Sequence, residues 1–351
     1  MAYPKTYRAF RRTKTPYPRT IELHEETLPD SLSSHDVVIR IHAVSLNYRD
    51  KAMLEEGRYP AHVRDGGIPA CDCAAEVVAT GPQVSEFAVG DRVSVTPALS
   101  LITGAERDQE ATAMGGDSTG VLREYAVFEE KHLVKIPDHL SWEEAATIPG
   151  AGISAWRSLD SLKGLTEGAT AVLQGTGGVS MYALLICLSA GIRPIITSSS
   201  DEKLANILKL DPRIAGINYK THPDITAEVL RITQGNGVDY VVNNVGLSSV
   251  PEDIKSLRKW GGSIALVGFL EGFKAGWPSE VLFQLLEKAA KLQGIMIGSR
   301  IDLQELNTFI GEKKIRLDTL IDRTFAFEDS AAALDYLWTG SHVGKIVIKI
   351  P

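Results

Sequence analysis

The sequence predicts an α/β protein of two domains, a β-rich domain and a doubly wound parallel sheet. Its 351 residues are too many for one ordinary hydrophobic core, so two domains are expected. Short strand-like segments fill the first third, and apolar strands alternate with helices in the middle. The predicted divisions are a first domain over 1–141, a second over 142–297, and a return of 298–351 to the first.

Three short apolar stretches predict the β-rich domain. Residues 37–44 alternate toward one face, and residues 76–80 and 91–95 are of strand length, with turn-forming Gly and Pro residues between them. Short strands separated by turns favour a small antiparallel barrel or sandwich. Residues 97–120 are predicted to form a long loop, which in a compact domain is usually functional or mobile.

The alternating pattern begins at Ser141, where Ser141-Trp142-Glu143-Glu144 resembles a helix capping box. The strands predicted after it are 169–173, 194–197, 238–242, 263–267 and 295–297. The helices predicted between them are 179–190, 201–210, 250–259 and 279–291. This order predicts a parallel sheet covered on both faces. The tail is predicted to form a helix over 330–338 and a strand over 344–350 that rejoins the first domain.

Composition and charge exclude several classes of protein. The net charge is −7 and no Lys/Arg-rich block is present, so no nucleic-acid partner is expected. The three cysteines, Cys71, Cys73 and Cys187, do not form a disulfide framework and indicate a reducing compartment. No signal peptide is evident, and no apolar run approaches the ~18 residues of a membrane span. We therefore expect a cytoplasmic protein without a membrane partner.

A glycine-rich turn gives the sharpest functional signal. Gly175 and Gly177 occupy the first two glycine positions of G-x-G-x-x-G, directly after an apolar strand and before a helix, and Ser180 stands in place of the third glycine. This context favours a Rossmann dinucleotide site over a purely structural turn, because the helix N-terminus binds phosphate. The residues expected to contact the dinucleotide here are Gly175, Thr176, Gly177, Gly178, Val179 and Ser180.

The end of the second strand predicts which nicotinamide cofactor binds. An NAD site places a carboxylate about 24 residues after the first glycine, where this chain has Ser199. Ser200, Lys203 and Tyr219 would add hydroxyls and a cation around a 2′-phosphate. Asp201 argues for NADH, although it could simply cap the following helix. The balance predicts NADPH.

Over essentially its whole length, the chain resembles the medium-chain dehydrogenase/reductase superfamily. The segments that carry the resemblance are Ser45–Asp50, Phe87–Val93, Gly120–Tyr125, Glu144–Pro149, Gly175–Ser180, Gly237–Asp239 and Gly344–Ile348. The resemblance implies an oxidoreductase with a GroES-like catalytic domain, which the tail completes, and a Rossmann domain. The further cofactor contacts that it implies are Asn47, Ser154, Asn244, Val245, Gly246, Val267, Gly268 and Phe269.

The resemblance also places this chain in a zinc-free branch. The catalytic zinc of related alcohol dehydrogenases is held by two cysteines and a histidine, and these positions fall on Asn47, Cys71 and Gly150. The structural zinc needs four cysteines in the region of residues 97–120, which contains none. Cys71-Asp72-Cys73 could suggest a metal or redox site, but small buried thiols are more often packing residues. The chain is thus similar to quinone reductases, enoyl reductases and alcohol dehydrogenase-like proteins.

Without a metal, hydrogen-bond donors must stabilise the charge that develops during hydride transfer. By resemblance, the catalytic candidates are Asn47 and Tyr48, with Tyr59 as a second phenol; Tyr48 could equally pack at the domain interface. We predict a zinc-independent, NADPH-dependent oxidoreductase acting on a small carbonyl, enone or quinone. An alcohol dehydrogenase and a non-catalytic NADPH-binding sensor stay open as alternatives. A homodimer is expected through an edge strand within 293–298.

Overall fold

A computed structural model describes residues 3–107 and 112–351. The chain forms two compact units, Met1–Ile153 with Ile297–Pro351, and Ser154–Met296. The first boundary therefore falls after Ile153 rather than after residue 141 as predicted. The reason is that helix Trp142–Ala146 packs on the sheet of the first unit, where the Trp142 ring stacks on that of His42 with centroids 4.3 Å apart.

The first unit is built on a seven-stranded sheet and a separate hairpin. In chain-order labels, its strands are β1 Thr6–Arg12, β2 Ile21–Thr27, β3 Asp36–Leu46, β4 Asp72–Thr80, β5 Arg92–Val95, β6 Tyr125–Glu129, β7 Leu133–Lys135, β14 Ile321–Ala326 and β15 Lys345–Lys349. Its helices are α1 Tyr48–Ala52, α2 Trp142–Ala146, α9 Arg300–Lys313 and α10 Ser330–Trp338. The sheet order is β14-β15-β3-β4-β5-β7, with β6 also paired to β3, and β1 and β2 form the hairpin.

The C-terminal tail completes the first unit, as predicted. Strand β15 lies antiparallel to β3, with Ile346 opposite Leu46, and parallel to β14. The buried side chains of these strands, including Ile39, Ile41 and Ile348, contribute to one core. The GroES-like domain therefore depends on the last strand in the chain.

The second unit is a parallel sheet, as the alternating pattern predicts, but it has six strands rather than five, because strand Ala215–Asn218 was not predicted. Its strands are β8 Thr170–Leu173, β9 Arg193–Ser198, β10 Ala215–Asn218, β11 Tyr240–Asn243, β12 Ser263–Leu266 and β13 Lys291–Gly294. Its helices are α4 Gly178–Ala190, α5 Asp201–Leu208, α6 Ile225–Ile232, α7 Val250–Ser256 and α8 Phe283–Glu287, while α3 Ile153–Ser158 crosses the boundary. The strand order is β10-β9-β8-β11-β12-β13. Strands are added to one side of β8 in the first half of this unit and to its other side from β11 onward. Sheets of this kind bind ligands at that switch point, beyond the carboxyl ends of the strands.

Two predicted elements near the end of this unit are wrong. The last strand lies at Lys291–Gly294 rather than 295–297, because its register aligns Lys291 with Ser263 of β12. The helix predicted over 279–291 is a 3₁₀ turn at Ser279–Leu282 followed by α8, and Ala289 adopts a positive φ of 45° that ends it. The elements that the sequence analysis did not predict are β1, β2, β6, β7, β10, β14, α1, α3, α6 and α9.

The predicted loop over 97–120 contains two isolated bridges, Ala98 with Ala113 and Met114 with Ser118. Residues 108–111 of this loop lie outside the described residues. Within the described part of the chain, no helix combines the length and the apolar character needed to cross a membrane.

Candidate active site

The glycine-rich turn of the second unit has the geometry of a phosphate cradle. Gly175 follows β8 with a φ of +78°, a conformation that favours glycine, and Gly177 is the N-cap of α4. A Cβ atom at either position would meet no other atom within 4 Å, so the backbone is open to a ligand. The first turn of α4 leaves backbone N–H groups available, and the helix dipole favours an anion there. These residues fit a dinucleotide pyrophosphate.

Ser180 does more than fill the place of the third glycine. Its side chain is buried, and its hydroxyl donates a hydrogen bond to the Gln174 carbonyl at 2.7 Å. The amide of Asn244 donates to the same hydroxyl at 2.9 Å and to the Gln174 carbonyl at 3.2 Å. Ser180 therefore joins the start of α4 to the loop after β11, a link that a glycine could not make.

The end of β9 carries hydroxyls and no carboxylate. Ser200 caps α5 by accepting a hydrogen bond from the Lys203 backbone N–H at 3.3 Å. The Tyr219 N–H donates to the Ser198 carbonyl at 3.0 Å, which places the half-exposed Tyr219 beside this strand end. The nearest acid in the sequence, Asp201, accepts a hydrogen bond from the Asn218 amide at 2.6 Å. Its carboxylate is thus already engaged by a neighbouring strand.

The two remaining predicted cofactor loops are joined by their backbones. The N–H groups of Val267 and Gly268 donate to the Asn243 carbonyl at 2.9 and 3.1 Å. The N–H of Glu271 donates to the Val245 carbonyl at 3.0 Å. Gly246 has a φ of +119°, and a side chain at Gly268 would collide with the Asn244 carbonyl. Asn244, Val245, Gly246, Val267, Gly268 and Phe269 therefore lie together at the carboxyl ends of β11 and β12.

A buried carboxyl group lies beneath these loops, which the sequence reading did not find. Asp253 of α7 accepts hydrogen bonds from the Gln174 amide at 2.7 Å, the Asn243 amide at 2.6 Å and the Ser249 hydroxyl at 3.1 Å. Burial raises the pKa of Asp253 to about 7. No local pattern singles out this aspartate in the sequence, because its partners come from three separate segments.

In the first unit, the three positions that align with zinc ligands do meet in space. The Asn47 amide donates to the Asp72 carboxylate at 2.9 Å and lies 3.7 Å from the Cys71 sulfur. A Cβ atom on Gly150 would lie 2.8 Å from Asp72 Oδ1 and 2.9 Å from Asn47 Nδ2. The alignment from sequence therefore identified a real cluster, although Gly150 leaves no room for a ligand side chain.

A lysine ammonium supplies the positive charge in this cluster. Lys345 Nζ donates to the Asn47 Oδ1 at 2.6 Å, to the Leu46 carbonyl at 2.7 Å and to Asp72 Oδ2 at 3.3 Å. The side chains of Lys345 and Asp72 are 2% and 0% exposed. The sequence reading treated Lys345 only as part of a resembling segment; a charge within an apolar strand is the signal that could have identified it.

This donor set does not fit a catalytic zinc. Such a site needs three protein ligands from thiolate, imidazole or carboxylate groups. Here Asn47 presents an amide, Gly150 has no side chain, and burial raises the pKa of the Cys71 thiol well above its ordinary value. The ammonium of Lys345 would also repel a dication beside Asp72. Over residues 3–107 and 112–351, no group of three or more His, Cys, Asp and Glu side chains could hold a metal ion.

The two tyrosine candidates have different surroundings. The ring of Tyr48 stacks on Trp338 of α10, with centroids 5.5 Å apart and planes 24° from parallel. The Tyr59 hydroxyl lies 3.4 Å from Arg49 Nε, so this phenol is tied to a cation. Trp338 was not among the predicted site residues, since its helix lies far from Tyr48 in the sequence.

Asp50 and the predicted cofactor contact Ser154 both make local hydrogen bonds. Asp50 Oδ2 accepts the Asn47 backbone N–H at 2.8 Å, and burial raises the pKa of Asp50. Ser154 begins the second unit, where its carbonyl accepts a hydrogen bond from the Ser158 hydroxyl at 2.6 Å.

Comparison with known families gives two matches along the chain. Residues 33–138 match the alcohol dehydrogenase GroES-like domain, and residues 178–312 match the zinc-binding dehydrogenase family. The first range lies in the first unit, and the second covers most of the second unit and continues into α9 of the first unit.

Individual proteins are similar over nearly the whole chain. A zinc-type alcohol dehydrogenase-like protein of Schizosaccharomyces pombe is 34% identical over 331 residues, covering 93% of this chain and 94% of that protein. An alcohol dehydrogenase of Geobacillus stearothermophilus is 27% identical, covering 95% of this chain and 97% of the other. A solved structure from Sinorhizobium meliloti 1021 that bears the name alcohol dehydrogenase superposes with a TM-score of 0.89 at 34% identity, covering 99% of both chains.

The buried pair of Lys345 and Asp72 makes a stability prediction. Lys345→Met leaves the Asp72 charge buried without its cation, so unfolding should become easier by about 3–5 kcal/mol. The double variant Lys345→Met/Asp72→Asn removes both charges and should recover most of that loss. Urea denaturation followed by tryptophan fluorescence measures both. Equal destabilisation in the single and double variants would show that the charge pair is not the cause.

Proposed function

This chain belongs to the medium-chain dehydrogenase/reductase superfamily of oxidoreductases, and on that basis we propose that it is a zinc-independent, NADPH-dependent reductase. Its substrate is a small carbonyl compound, an enone or a quinone. The observation that carries the proposal is the cluster of Asn47, Cys71 and Gly150. In this cluster the buried ammonium of Lys345 balances the charge of the Asp72 carboxylate. The two family matches and the close relatives support the oxidoreductase class.

The second unit would hold the dinucleotide through its own backbone. Gly175 and Gly177 give the pyrophosphate room, and the first turn of α4 presents N–H donors. Ser199 and Lys203, with Tyr219 alongside, would receive the 2′-phosphate at the end of β9. Bound NADPH supplies the hydride. The hydrogen bond from Asn218 to Asp201 favours this cofactor over NADH, because one oxygen of the nearest carboxylate is already bound by the neighbouring strand.

An enone or quinone suits a site that has no Lewis acid. Hydride addition to the β-carbon of an enone spreads the negative charge into an enolate, so weak hydrogen-bond donors suffice. We assign the donor role to the Tyr48 phenol, which the stacked Trp338 holds in place. The second candidate function is an alcohol dehydrogenase, which the names of the S. pombe and G. stearothermophilus relatives favour. A non-catalytic dinucleotide-binding protein is the third.

We also propose a cytoplasmic homodimer that pairs through the Rossmann sheet. Strand β13 is at the edge of that sheet, and its alternate residues Leu292 and Gly294 direct their backbone groups away from β12. Large exposed apolar side chains on the segments flanking this strand are Phe283, Leu286 and Met296. An exposed edge with apolar neighbours is usually covered, and a two-fold axis would cover it with a second copy. The three buried free cysteines support a reducing compartment.

The first test is a substrate panel with NADPH as the reductant. The purified protein should oxidise NADPH steadily with enones or quinones, and more slowly with simple aldehydes. Turnover should persist after dialysis against a chelator, and elemental analysis should find far less than one zinc per chain. Activity confined to alcohols and aldehydes would establish the alternative dehydrogenase. Stoichiometric zinc with chelator-sensitive turnover would disprove the zinc-free mechanism.

Cofactor choice depends on Lys203. A charge-assisted hydrogen bond to a 2′-phosphate contributes about 1.5–3 kcal/mol, so Lys203→Ala should weaken NADPH binding on the order of tenfold to a hundredfold. NADH binding should hardly change, because NADH has no 2′-phosphate. Ser199→Asp should reverse the preference by placing a carboxylate at the strand end. Nicotinamide fluorescence gives both dissociation constants.

Lys209→Ala serves as the control for this experiment, since Lys209 is an exposed lysine at the end of the same helix and its ammonium donates to the Asn206 side chain. It should leave both dissociation constants unchanged. If the wild-type protein binds NADH as tightly as NADPH and Lys203→Ala is silent, the cofactor assignment is wrong.

If the protein is a homodimer, a single substitution at the proposed interface should lower its molar mass in solution. Leu286→Arg places a charge among the exposed apolar side chains beside the edge strand and should convert the dimer to a monomer by light scattering. Leu210→Arg, at another exposed leucine of the same unit, should leave the dimer intact. A wild-type monomer at micromolar concentration contradicts the proposal.

A further inference from the structure

The buried carboxyl group of Asp253 is not used by any step proposed above. Its side chain is 5% exposed, and it lies on α7 rather than on either dinucleotide loop. Its three hydrogen-bond partners are the Gln174 amide, the Asn243 amide and the Ser249 hydroxyl. Burying a carboxyl group costs free energy unless it is hydrogen-bonded, so these three bonds compensate for its burial. They also indicate which side chains the carboxyl group positions.

Asp253 determines which way two side-chain amides face. Both of its carboxyl oxygens act as acceptors, Oδ1 for the Gln174 amide and Oδ2 for the Asn243 amide, so both amides turn their NH2 groups toward it. Their oxygens consequently face away. The oxygen of Asn243 accepts the backbone N–H of Gly246 at 2.8 Å, and the oxygen of Gln174 lies 3.4 Å from the backbone N–H of Val245.

These oriented amides lie at the bases of both dinucleotide loops. Gln174 directly precedes Gly175, and its own carbonyl accepts hydrogen bonds from Ser180 and Asn244. Asn243 is the last residue of β11 and directly precedes the loop over 244–246. One carboxyl group thus links the loops over 175–180 and 244–246 through two amides, in addition to the direct hydrogen bond between Asn244 and Ser180.

We propose that Asp253 is a positioning residue for dinucleotide binding, which holds the glycine-rich loop and the loop after β11 in their binding arrangement through Gln174 and Asn243. This inference rests on the proposed function, because it assumes that these loops bind the dinucleotide. Asp253 acts away from the end of β9, where the 2′-phosphate is distinguished. Its loss therefore affects NADPH and NADH alike.

The decisive variant is Asp253→Asn. An amide at this position can accept from one neighbour, but its NH2 group then faces the NH2 group of the other. Either Gln174 or Asn243 must turn over, which brings an NH2 group against the N–H of Val245 or Gly246. We expect the dissociation constants of NADPH and NADH both to rise about tenfold, equivalent to ~1.4 kcal/mol, with their ratio unchanged.

Two further variants separate positioning from general destabilisation. Asp239 is a carboxylate at the opposite end of the same strands, where it accepts the Thr170 N–H at 2.8 Å and pairs with Arg258 at 2.6 Å. Asp239→Asn should lower the thermal midpoint without changing nucleotide affinity. The double variant Asp253→Asn/Gln174→Glu restores the donor and acceptor pattern, since Glu accepts from the new Asn. It should recover most of the lost affinity.

Fluorescence titration gives the dissociation constants of NADPH and NADH for each variant. Thermal unfolding gives the stability of each variant. Weakened binding of both nucleotides in Asp253→Asn alone, with recovery in the double variant, supports the inference. Wild-type affinity in Asp253→Asn overturns it, as does equal weakening in Asp239→Asn. A wild-type protein that binds neither nucleotide refutes the proposed function itself, so the two failures are distinguishable.

Discussion

The pairing of the last strand, β15, with β3 brings the Lys345 ammonium into the interior of the first unit. A buried ammonium needs both a counter-charge and acceptors for its hydrogens, because burial removes its hydration. Asp72, Asn47 and the Leu46 carbonyl supply these. The positions of Asn47, at the start of α1, and of Asp72, in β4, are therefore coupled to a strand almost at the other end of the chain. The position of Tyr48, the catalytic candidate next to Asn47, depends on the same contacts.

The cluster around Lys345 and Asp72 bears on the match of this chain to the zinc-binding dehydrogenase family. The chain matches a family described as zinc-binding dehydrogenases, yet its donor set suits hydrogen bonding rather than metal coordination. A side chain at Gly150 would collide with Asp72 and Asn47. In this chain, a buried lysine and a buried aspartate carry the charges at that cluster. The proposed zinc-independent mechanism relies on hydrogen-bond donors, and such donors favour substrates that delocalise the developing charge.

In the second unit, hydrogen bonds between side chains connect the loops that follow the parallel strands. A parallel sheet brings the carboxyl ends of its strands to one edge, but it does not determine how the loops beyond that edge are oriented. Ser180, Gln174 and Asn243 make the connections between those loops, and Asp253 orients the last two. The loops proposed to bind the dinucleotide are held by side chains that need not touch a ligand.

The sequence by itself determined the two-domain α/β class, the alternating elements of the second unit, the return of the tail, and the glycine-rich turn. All of these except the return of the tail follow from local periodicity and from turn chemistry, which neighbouring residues decide; the return of the tail is what the family resemblance implied. The position of β13, the boundary after Ile153, the contacts of Lys345 and the partners of Asp253 depended on tertiary structure. Each joins segments that are distant in the chain, such as residue 72 with residue 345, and strand register sets which of them meet. Local pattern carries no information about such pairings, so only the folded chain decides them.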